Sequence, residues 1–544
     1  WKTLVTNAPR TLRVILAALT EQLLLGLSTD DEDQQQAAAQ ALGELVTKLS
    51  ERVLPKLLPT LQAGLSTDDP ARRRGVCLGL TEVMAAAGKE NVTTFLPKLI
   101  PAVRMGLCDE DERVREAAAP AFSQLQRLIG VQAIHEIVPA LLQLLRSTDP
   151  ETVVKGQYGL REVMGQRPQA VVPYLLPKLT AAPIKLAHAR ALGAVAEVAG
   201  AALHTHLDAL LPALFRETYV EMALAPEGHE ADPELRDALI GAASAVALAV
   251  EEDGLHYLYQ ELRSGTAAKA EPHVRVAAAA LIETVCKSCP YDLSMHHAGL
   301  IGALIGMFHA EEPPVLRAAL SALDALTKSV PKERHALLVT CMRTSLEEVS
   351  VEYRTAQLAA GVPHDEPSLL PALCEKAGLS SLVAVYLQGL MTGTPELREQ
   401  SASALGEAVG VTSAAALKPF VIQITGPLIR IVGDRFPWQV KAAILQTLTL
   451  LIAKGSILLK PFVPQLQTTF VKALSDPTKL VRTRGSTALT RLISLATRVE
   501  PLASELQTSL ATADSGVQAA LLCALAGLLR EVTKPLSEPL VAKI

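Results

Sequence analysis

The chain is poor in aromatic residues and has no strong excess of one charge. Phe, Trp and Tyr make up 3% of its 544 residues, whereas apolar residues of all kinds make up 49%. The predicted core therefore consists mainly of Ala, Leu and Val, which suit helices stacked closely in layers. The net charge of −5 argues against a protein that wraps nucleic acid through charge alone.

Motifs of the common enzyme classes are also missing. The sequence contains no G-x-x-x-x-G-K-[ST], no G-x-S-x-G and no H-E-x-x-H. Cys286 and Cys289 precede His296 and His297, but adjacent His residues rarely both bind one metal, so we expect no metal site. We therefore expect a protein that is not an enzyme, with no cofactor and no small-molecule substrate.

Long apolar runs are missing as well. The weakly polar run 239–250 is shorter than the ~20 residues that a bilayer requires, so we expect no membrane contact. Seven Cys residues are scattered and odd in number, which indicates reduced thiols in a cytosolic or nuclear compartment. The chain starts at Trp1 rather than Met, and we expect it to be a piece of a longer protein.

The most informative feature present is a repeated segment. Residues 95–115 read FLPKLIPAVRMGLCDEDERVR, and residues 462–482 read FVPQLQTTFVKALSDPTKLVR. Each has Pro at the third position, apolar residues at helical spacing, an acidic turn, and Val-Arg beginning five residues after an Asp. The repetition predicts an array of similar units and a binding function rather than catalysis.

Each unit is predicted to contain two helices joined by a short acidic turn. Pro is tolerated in the first turn of a helix, and acidic residues suit the start of the next one. Pro55, Pro97 and Pro139 are 42 residues apart, which is the period of HEAT repeats. We therefore predict an all-α HEAT-repeat α-solenoid, a superhelical stack of antiparallel helix pairs with roughly 13 repeats.

Two polar segments interrupt the repeat. Residues 224–233 (LAPEGHEADP) are expected to form a surface loop, and residues 349–370 contain GVPHDEP, which is typical of a linker. The predicted organisation is a HEAT-repeat array over 1–348, a linker or irregular hinge over 349–370, and a second array over 371–544. The alternative for both segments is a loop tolerated within one solenoid.

One cluster has the composition of a protein interface. Arg430, Arg435, Phe436 and Trp438 lie close together in a chain with two Trp residues, and Arg and Trp are common interface anchors. From the residues alone, the alternative is equally good: the two aromatic residues fill a turn between helices, and Asp434 caps the second helix.

A basic run lies elsewhere, at the predicted start of a second helix. Arg72, Arg73 and Arg74 are candidate contacts to phosphates of ribosomal RNA. The alternative is a solvated face whose charges pair with Asp68 and Asp69.

Several segments resemble a known family. They are WKTLVTNAPRTLRVIL (1–16), ERVLPKLLPTLQAGL (51–65), RRGVCLGLTEVM (73–84), VVPYLLPKLTAAP (171–183), the 401–443 segment that contains GPLIRIVGDRF, and LKPFVPQLQTTFVKALSD (459–476). They are similar to giant HEAT-repeat translational activators called general control non-derepressible protein 1. The resemblance covers essentially the whole chain, and GPLIRIVGDRF (426–436) is its most specific stretch.

The resemblance implies a function for the chain. Members of the family are ribosome-associated scaffolds that bind and activate the stress-responsive kinase of translation initiation factor 2 alpha during amino-acid starvation or ribosome stalling. Their partners are the ribosome, the kinase's RWD domain and other RWD-domain proteins. The resemblance assigns RWD binding to the array over 371–544, and to an arginine near 430–435.

Other HEAT-repeat proteins remain alternatives. A nuclear transport receptor should be markedly more acidic than the −5 of this chain. A phosphatase scaffold should show a more regular repeat, without the interruptions at 224–233 and 349–370.

Overall fold

The computed structural model describes residues 8–49, 53–226, 232–363, 368–433, 436–496 and 499–532. Regular structure in these ranges is entirely helical, without a strand, so the predicted all-α architecture is confirmed. The chain divides into two compact units, Trp1–Glu261 and Leu262–Ile544.

The helices of the first unit follow one another through short turns. They are α1 Ala8–Leu27, α2 Glu32–Leu49, α3 Leu54–Leu65, α4 Pro70–Leu107, α5 Glu112–Ile129, α6 Gln132–Leu144, α7 Pro150–Gln166, α8 Pro168–Leu179, α9 Leu186–Ala199, α10 Leu207–Glu217 and α11 Pro233–Leu248, and α12 Leu255–Thr266 contains the division between the units.

The second unit continues the same pattern. Its helices are α13 Pro272–Ser288, α14 His297–Ile305, α15 Pro313–Ser329, α16 His335–Ala359, α17 Pro371–Cys374, α18 Ser380–Thr392, α19 Pro395–Gly410, α20 Ala414–Leu417, α21 Val421–Val432, α22 Trp438–Gly455, α23 Val463–Leu474, α24 Lys479–Ile493, α25 Glu500–Leu510 and α26 Ser515–Glu531.

Acidic residues of the turns begin the second helices, as predicted. The carboxylate of Asp69 accepts a hydrogen bond from the backbone N–H of Ala71 at 3.0 Å, just before α4. Asp111 accepts one from the N–H of Arg113 at 2.9 Å, just before α5. The first N–H groups of a helix have no partner inside it, so these side chains fix where each helix starts.

Helix α4 joins two neighbouring repeats through a kink at Gly88. This residue has φ 73° and ψ 168°, in the left-handed half of the map that glycine occupies readily. The part of α4 before Gly88 is the second helix of one repeat, and the part after it is the first helix of the next. Gly88 therefore ends the second helix of its repeat, as glycine commonly does.

Second helices stack on one another within each unit. In the first unit α2 packs against α4, and α5, α7, α9 and α11 follow in order. In the second unit α13 packs against α15, and α19, α22, α24 and α26 form a further continuous row. The helices approach closely: a Cβ on Gly75 of α4 would lie 1.8 Å from the carbonyl oxygen of Leu27. This close stacking explains why the core needs few aromatic residues.

The repeated segments each contain a carboxylate that connects two repeats. Asp109 accepts hydrogen bonds from Nε and Nη2 of Arg73 at 2.7 and 2.9 Å. Asp476, at the equivalent position, accepts one from Nζ of Lys441 at 3.2 Å. Both cations belong to the second helix of the preceding repeat, and the Asp side chains are only 9% and 10% exposed. We call this contact the aspartate bridge.

The arginine of each Val-Arg pair secures the turn that holds this Asp. Nη1 of Arg115 donates to the carbonyl oxygens of Asp109 and Glu110, both at 3.0 Å. Nη1 of Arg482 donates to those of Asp476 and Pro477, both at 2.8 Å. The spacing between Asp and Val-Arg therefore reflects a folded turn, in which an arginine satisfies carbonyl groups and a carboxylate reaches the neighbouring repeat.

Part of the segment predicted as a linker, 349–370, is helical. Helix α16 continues to Ala359, and Leu346 and Val349, just before this continuation, are buried. Arg343 of α16 also pairs with Glu407 of α19, with 2.6 Å between Nη2 and Oε1. Helices on both sides of the remaining loop thus contact each other inside the second unit. The compact units divide between Glu261 and Leu262 instead.

Parts of both predicted interruptions lie outside the described residues, namely 227–231 and 364–367. The assignment of separate functions to arrays 1–348 and 371–544 stays a prediction.

Two helical stretches are long and apolar enough to cross a membrane by length and composition alone. They are Leu186–Glu217 and Ala414–Val432. The first is divided into α9, a 3-10 segment and α10, and the second into α20, a 3-10 segment and α21. Their Leu192, Leu211 and Leu428 side chains are buried against neighbouring helices, so we interpret both stretches as core helices of the repeats.

A substitution of Val114 tests which side chains form the core of the repeat. Its side chain is fully buried in α5, and Val114→Asp would bury a charge without a partner. We expect a local destabilisation on the order of 3 kcal/mol or more. Hydrogen exchange over residues 95–130 should accelerate before the rest of the chain responds, because repeats are stabilised mainly by their neighbours. Unchanged exchange in that segment would contradict this placement.

Candidate partner-binding surface

Helix α21 presents Arg430 to solvent. Its buried side chains, among them Ile424, Leu428 and Ile431, lie on one face at helical spacing. Arg430 lies on the other face, in the last turn, and its side chain is exposed. A cation suits this end of a helix, where the carbonyl groups carry partial negative charge. Arg430 is therefore held on a rigid element and is accessible to a partner.

The ring of Phe436 already has a partner within the fold. The guanidinium carbon of Arg398 lies 4.5 Å from the ring centroid, within the distance for a cation–π contact. The same guanidinium donates to the carbonyl oxygens of Leu390, Met391 and Gly393, at the end of α18. Phe436 therefore fills the turn before α22. This agrees with the alternative interpretation, in which the aromatic residues fill a turn between helices.

Trp438 differs from Phe436 in its exposure. It is the first residue of α22, and 43% of its surface is accessible. A large aromatic side chain at this exposure can supply apolar contact area to a partner. Of the four predicted residues, Arg430 and Trp438 are thus exposed. Arg435, together with Asp434, lies outside the described residues.

A cleft lies between α21 and α23, and Ile429, the residue before Arg430, lines it. Its volume is about 600 Å³, and its walls include Ile429 of α21 and Lys472 of α23. The aspartate bridge of Lys441 and Asp476 also lines it. Because Lys441 neutralises Asp476, the exposed charge beside the cleft comes from Arg430 and Lys472.

Sequence reasoning missed a local charge signal around this cleft. Residues 408–499 contain twelve Lys and Arg residues and two Asp residues, a net charge of +10. Since the whole chain has a charge of −5, the remaining 452 residues carry −15. The net charge of the whole chain hides this local concentration of positive charge. A charge count over a window of about two repeats reveals it.

The basic run in the first unit is largely used within the fold. Arg73 forms the aspartate bridge with Asp109, and this hydrogen bond raises the pKa of Arg73. Arg74 donates to Gln35 at 2.9 Å and lies 3.1 Å from a carboxylate oxygen of Glu32. The expected pairing with Asp68 and Asp69 is therefore wrong, because stacking brings side chains of neighbouring repeats closer.

Arg72 remains as the exposed member of the run. Any contact with a phosphate from this run would therefore begin at Arg72, while Arg73 and Arg74 hold neighbouring repeats together.

Of the Cys and His residues near 286–297, Cys286 and His297 are buried, and Cys289 and His296 are half-buried. Burial raises the pKa of the Cys286 thiol to about 12, which keeps it protonated and unreactive at neutral pH. Burial also lowers the pKa of His297. Within the described ranges, no group of three or more His, Cys, Asp or Glu side chains could hold a metal ion.

Sequence comparisons identify the family. A family model described as "Stalled ribosome sensor GCN1-like, HEAT repeats" matches residues 6–160 and 171–377. The chain belongs to this GCN1-like family. The predicted HEAT-repeat fold and the resemblance described above are thereby confirmed.

Two curated members of the GCN1-like family match nearly the whole chain. The human protein named stalled ribosome sensor GCN1 is 41% identical over 528 residues, which cover 96% of this chain and 19% of that protein. The Dictyostelium discoideum protein named eIF-2-alpha kinase activator GCN1 is 37% identical over 541 residues, covering 98% of this chain and 19% of that protein. This second match extends beyond the family model and includes the candidate surface.

The chain thus spans about a fifth of the length of the GCN1-like relatives it matches. Among solved structures, Kap121p superposes with a TM-score of 0.34 at 15% identity, over 95% of this chain and 50% of Kap121p. A superposition of that quality does not bear on function.

The two neighbouring arginines in α4 give a matched test of the aspartate bridge. Arg73→Ala would leave the nearly buried Asp109 carboxylate without its cation, and we expect local stability to fall by about 2 kcal/mol. Arg72→Ala removes an exposed side chain and should change the local stability by less than about 0.5 kcal/mol. Hydrogen exchange of residues 104–116 measures both. Equal protection in the two variants would show that the bridge contributes little.

Proposed function

We propose that this chain is part of a ribosome-associated scaffold that binds the RWD domain of the kinase of translation initiation factor 2 alpha, and thereby helps to activate that kinase. Membership of the GCN1-like family supports this proposal, as do the names of the relatives, which refer to stalled-ribosome sensing and to kinase activation. A cytoplasmic location follows from association with the ribosome.

The exposed Arg430 is the observation that supports the proposed RWD site most directly. A guanidinium can hold a carboxylate through two parallel hydrogen bonds, so an accessible arginine on a rigid helix suits an acidic partner. Exposed Trp438 lies six residues beyond the end of α21 and would add apolar contact. Arg435 belongs to the proposed site by its position in the sequence, and Phe436 supports the turn from within.

The proposed ribosome contact in this chain rests on Arg72. Its exposed guanidinium is free to meet a phosphate, and phosphate contacts of this kind carry affinity without sequence specificity. Other RWD-domain proteins are further proposed partners, since the same surface would be presented to them.

The double change Arg430→Ala with Arg435→Ala tests the RWD site. We expect the free energy of RWD binding to weaken by about 2 kcal/mol or more, because two donors to acidic groups are lost. The measurement is the dissociation constant of the 544-residue chain for an isolated RWD domain, with helical content checked by circular dichroism.

Arg72→Ala is the control for this double change. It should leave RWD binding unchanged and should weaken association with ribosomes most at low salt, with a smaller salt dependence than the wild type. If the double variant is folded and still binds the RWD domain with wild-type affinity, the site lies elsewhere on the chain.

A further inference from the structure

Basic residues recur at equivalent positions of α21 and α23 and of the 3-10 segments that precede these helices. The sequence KPFV begins at Lys418 and again 42 residues later at Lys460, and the same spacing relates Arg430 to Lys472. All four side chains are exposed. Since α21 and α23 are in contact, and packed helices have axes about 8–10 Å apart, Arg430 and Lys472 lie side by side at the same end of two neighbouring helices.

The cleft between these helices combines that charge with apolar walls. Ile429 and Val432 form part of one wall, and Pro464 and Ala473 form part of the other. Thr468 adds a hydroxyl to the second wall. A volume of about 600 Å³ is enough to receive several side chains of a partner.

A related cleft in the first unit lacks this excess of positive charge. It has a volume of about 810 Å³ and contains the aspartate bridge of Arg73 and Asp109. Its lining also carries Arg104 and Lys155, whose formal charges are balanced by Asp68 and Glu110, and Glu110 lies 2.7 Å from the ammonium group of Lys155. Of the two clefts, the one between α21 and α23 therefore has the excess of positive charge, and this excess does not follow from the repeat itself.

The apolar walls favour a protein over a nucleic acid as the occupant. A nucleic-acid backbone presents phosphates and sugars and gains little from contact with Ile, Val or Pro side chains. The walls and the exposed Trp438 match a partner that offers both acidic and apolar side chains.

We infer that the cleft between α21 and α23 binds an acidic segment of the RWD domain, and that Lys472 contacts this segment together with Arg430. The inference rests on the proposed function and extends the site by one repeat. Arg430 holds the partner at one wall of the cleft, Lys472 holds it at the other, and apolar side chains of the partner fill the space between them.

Lys472→Glu and Lys460→Glu form a matched pair for the test. Both change an exposed lysine by the same charge within the same repeat, but Lys460 lies in the 3-10 segment that precedes α23, roughly 18 Å from Lys472. We expect Lys472→Glu to raise the dissociation constant for the isolated RWD domain at least about tenfold, and Lys460→Glu to raise it less than about threefold. Lys472→Arg should bind like the wild type. All measurements use the 544-residue chain.

Two results would overturn the inference while leaving the proposed function intact. In one, the wild type binds the RWD domain and Arg430→Ala weakens binding, but Lys472→Glu does not. In the other, Lys472→Glu and Lys460→Glu weaken binding equally, which would indicate a diffuse charge effect. If the wild-type chain shows no RWD binding at all, the proposed function fails, and the inference fails with it.

A 20-base-pair RNA duplex serves as the second probe, with the same three variants. The inference expects Lys472→Glu to impair RWD binding more than RNA binding. The opposite ranking, with RNA binding lost and RWD binding retained, would make the cleft a nucleic-acid site and would overturn the inference.

Discussion

Each helix pair in this protein can bury its apolar face only against the neighbouring pairs, and the rest of the structure depends on that constraint. The second helices stack so closely that residues such as Gly75 leave no space for a Cβ. Ala, Leu and Val fill the layers, which explains the low aromatic content. Stability in such an array is approximately a sum of contributions from repeats and from the contacts between them.

The aspartate bridge adds a polar contact to this apolar stacking. A carboxylate in the turn of one repeat meets a cation on the second helix of the previous repeat, as Asp109 meets Arg73 and Asp476 meets Lys441. Both partners are largely shielded from water, so the contact also favours one register between repeats. Helices α21 and α23 each carry one charged residue, Arg430 and Lys472, and both are exposed cations.

Much of the fold could be predicted from the sequence because its signals are local. The Pro spacing, the capping by Asp69 and Asp111, and the helix stop at Gly88 each depend on a few consecutive residues. Contacts between repeats were not predictable in the same way. The partner of Arg73 proved to be Asp109, and the face of Phe436 proved to be covered by Arg398, because stacking decides which side chains meet.

The candidate site was predictable only in part. Arg430 and Trp438 were found from residue type, and both are exposed, but Lys472 carries no motif and becomes notable only when 42-residue equivalence and local charge are combined. The most direct test of the account is the footprint of a bound RWD domain, measured by hydrogen exchange along the 544-residue chain. The account predicts protection in α21, the start of α22 and α23, with residues 95–130 unchanged. Protection confined to other repeats would contradict it.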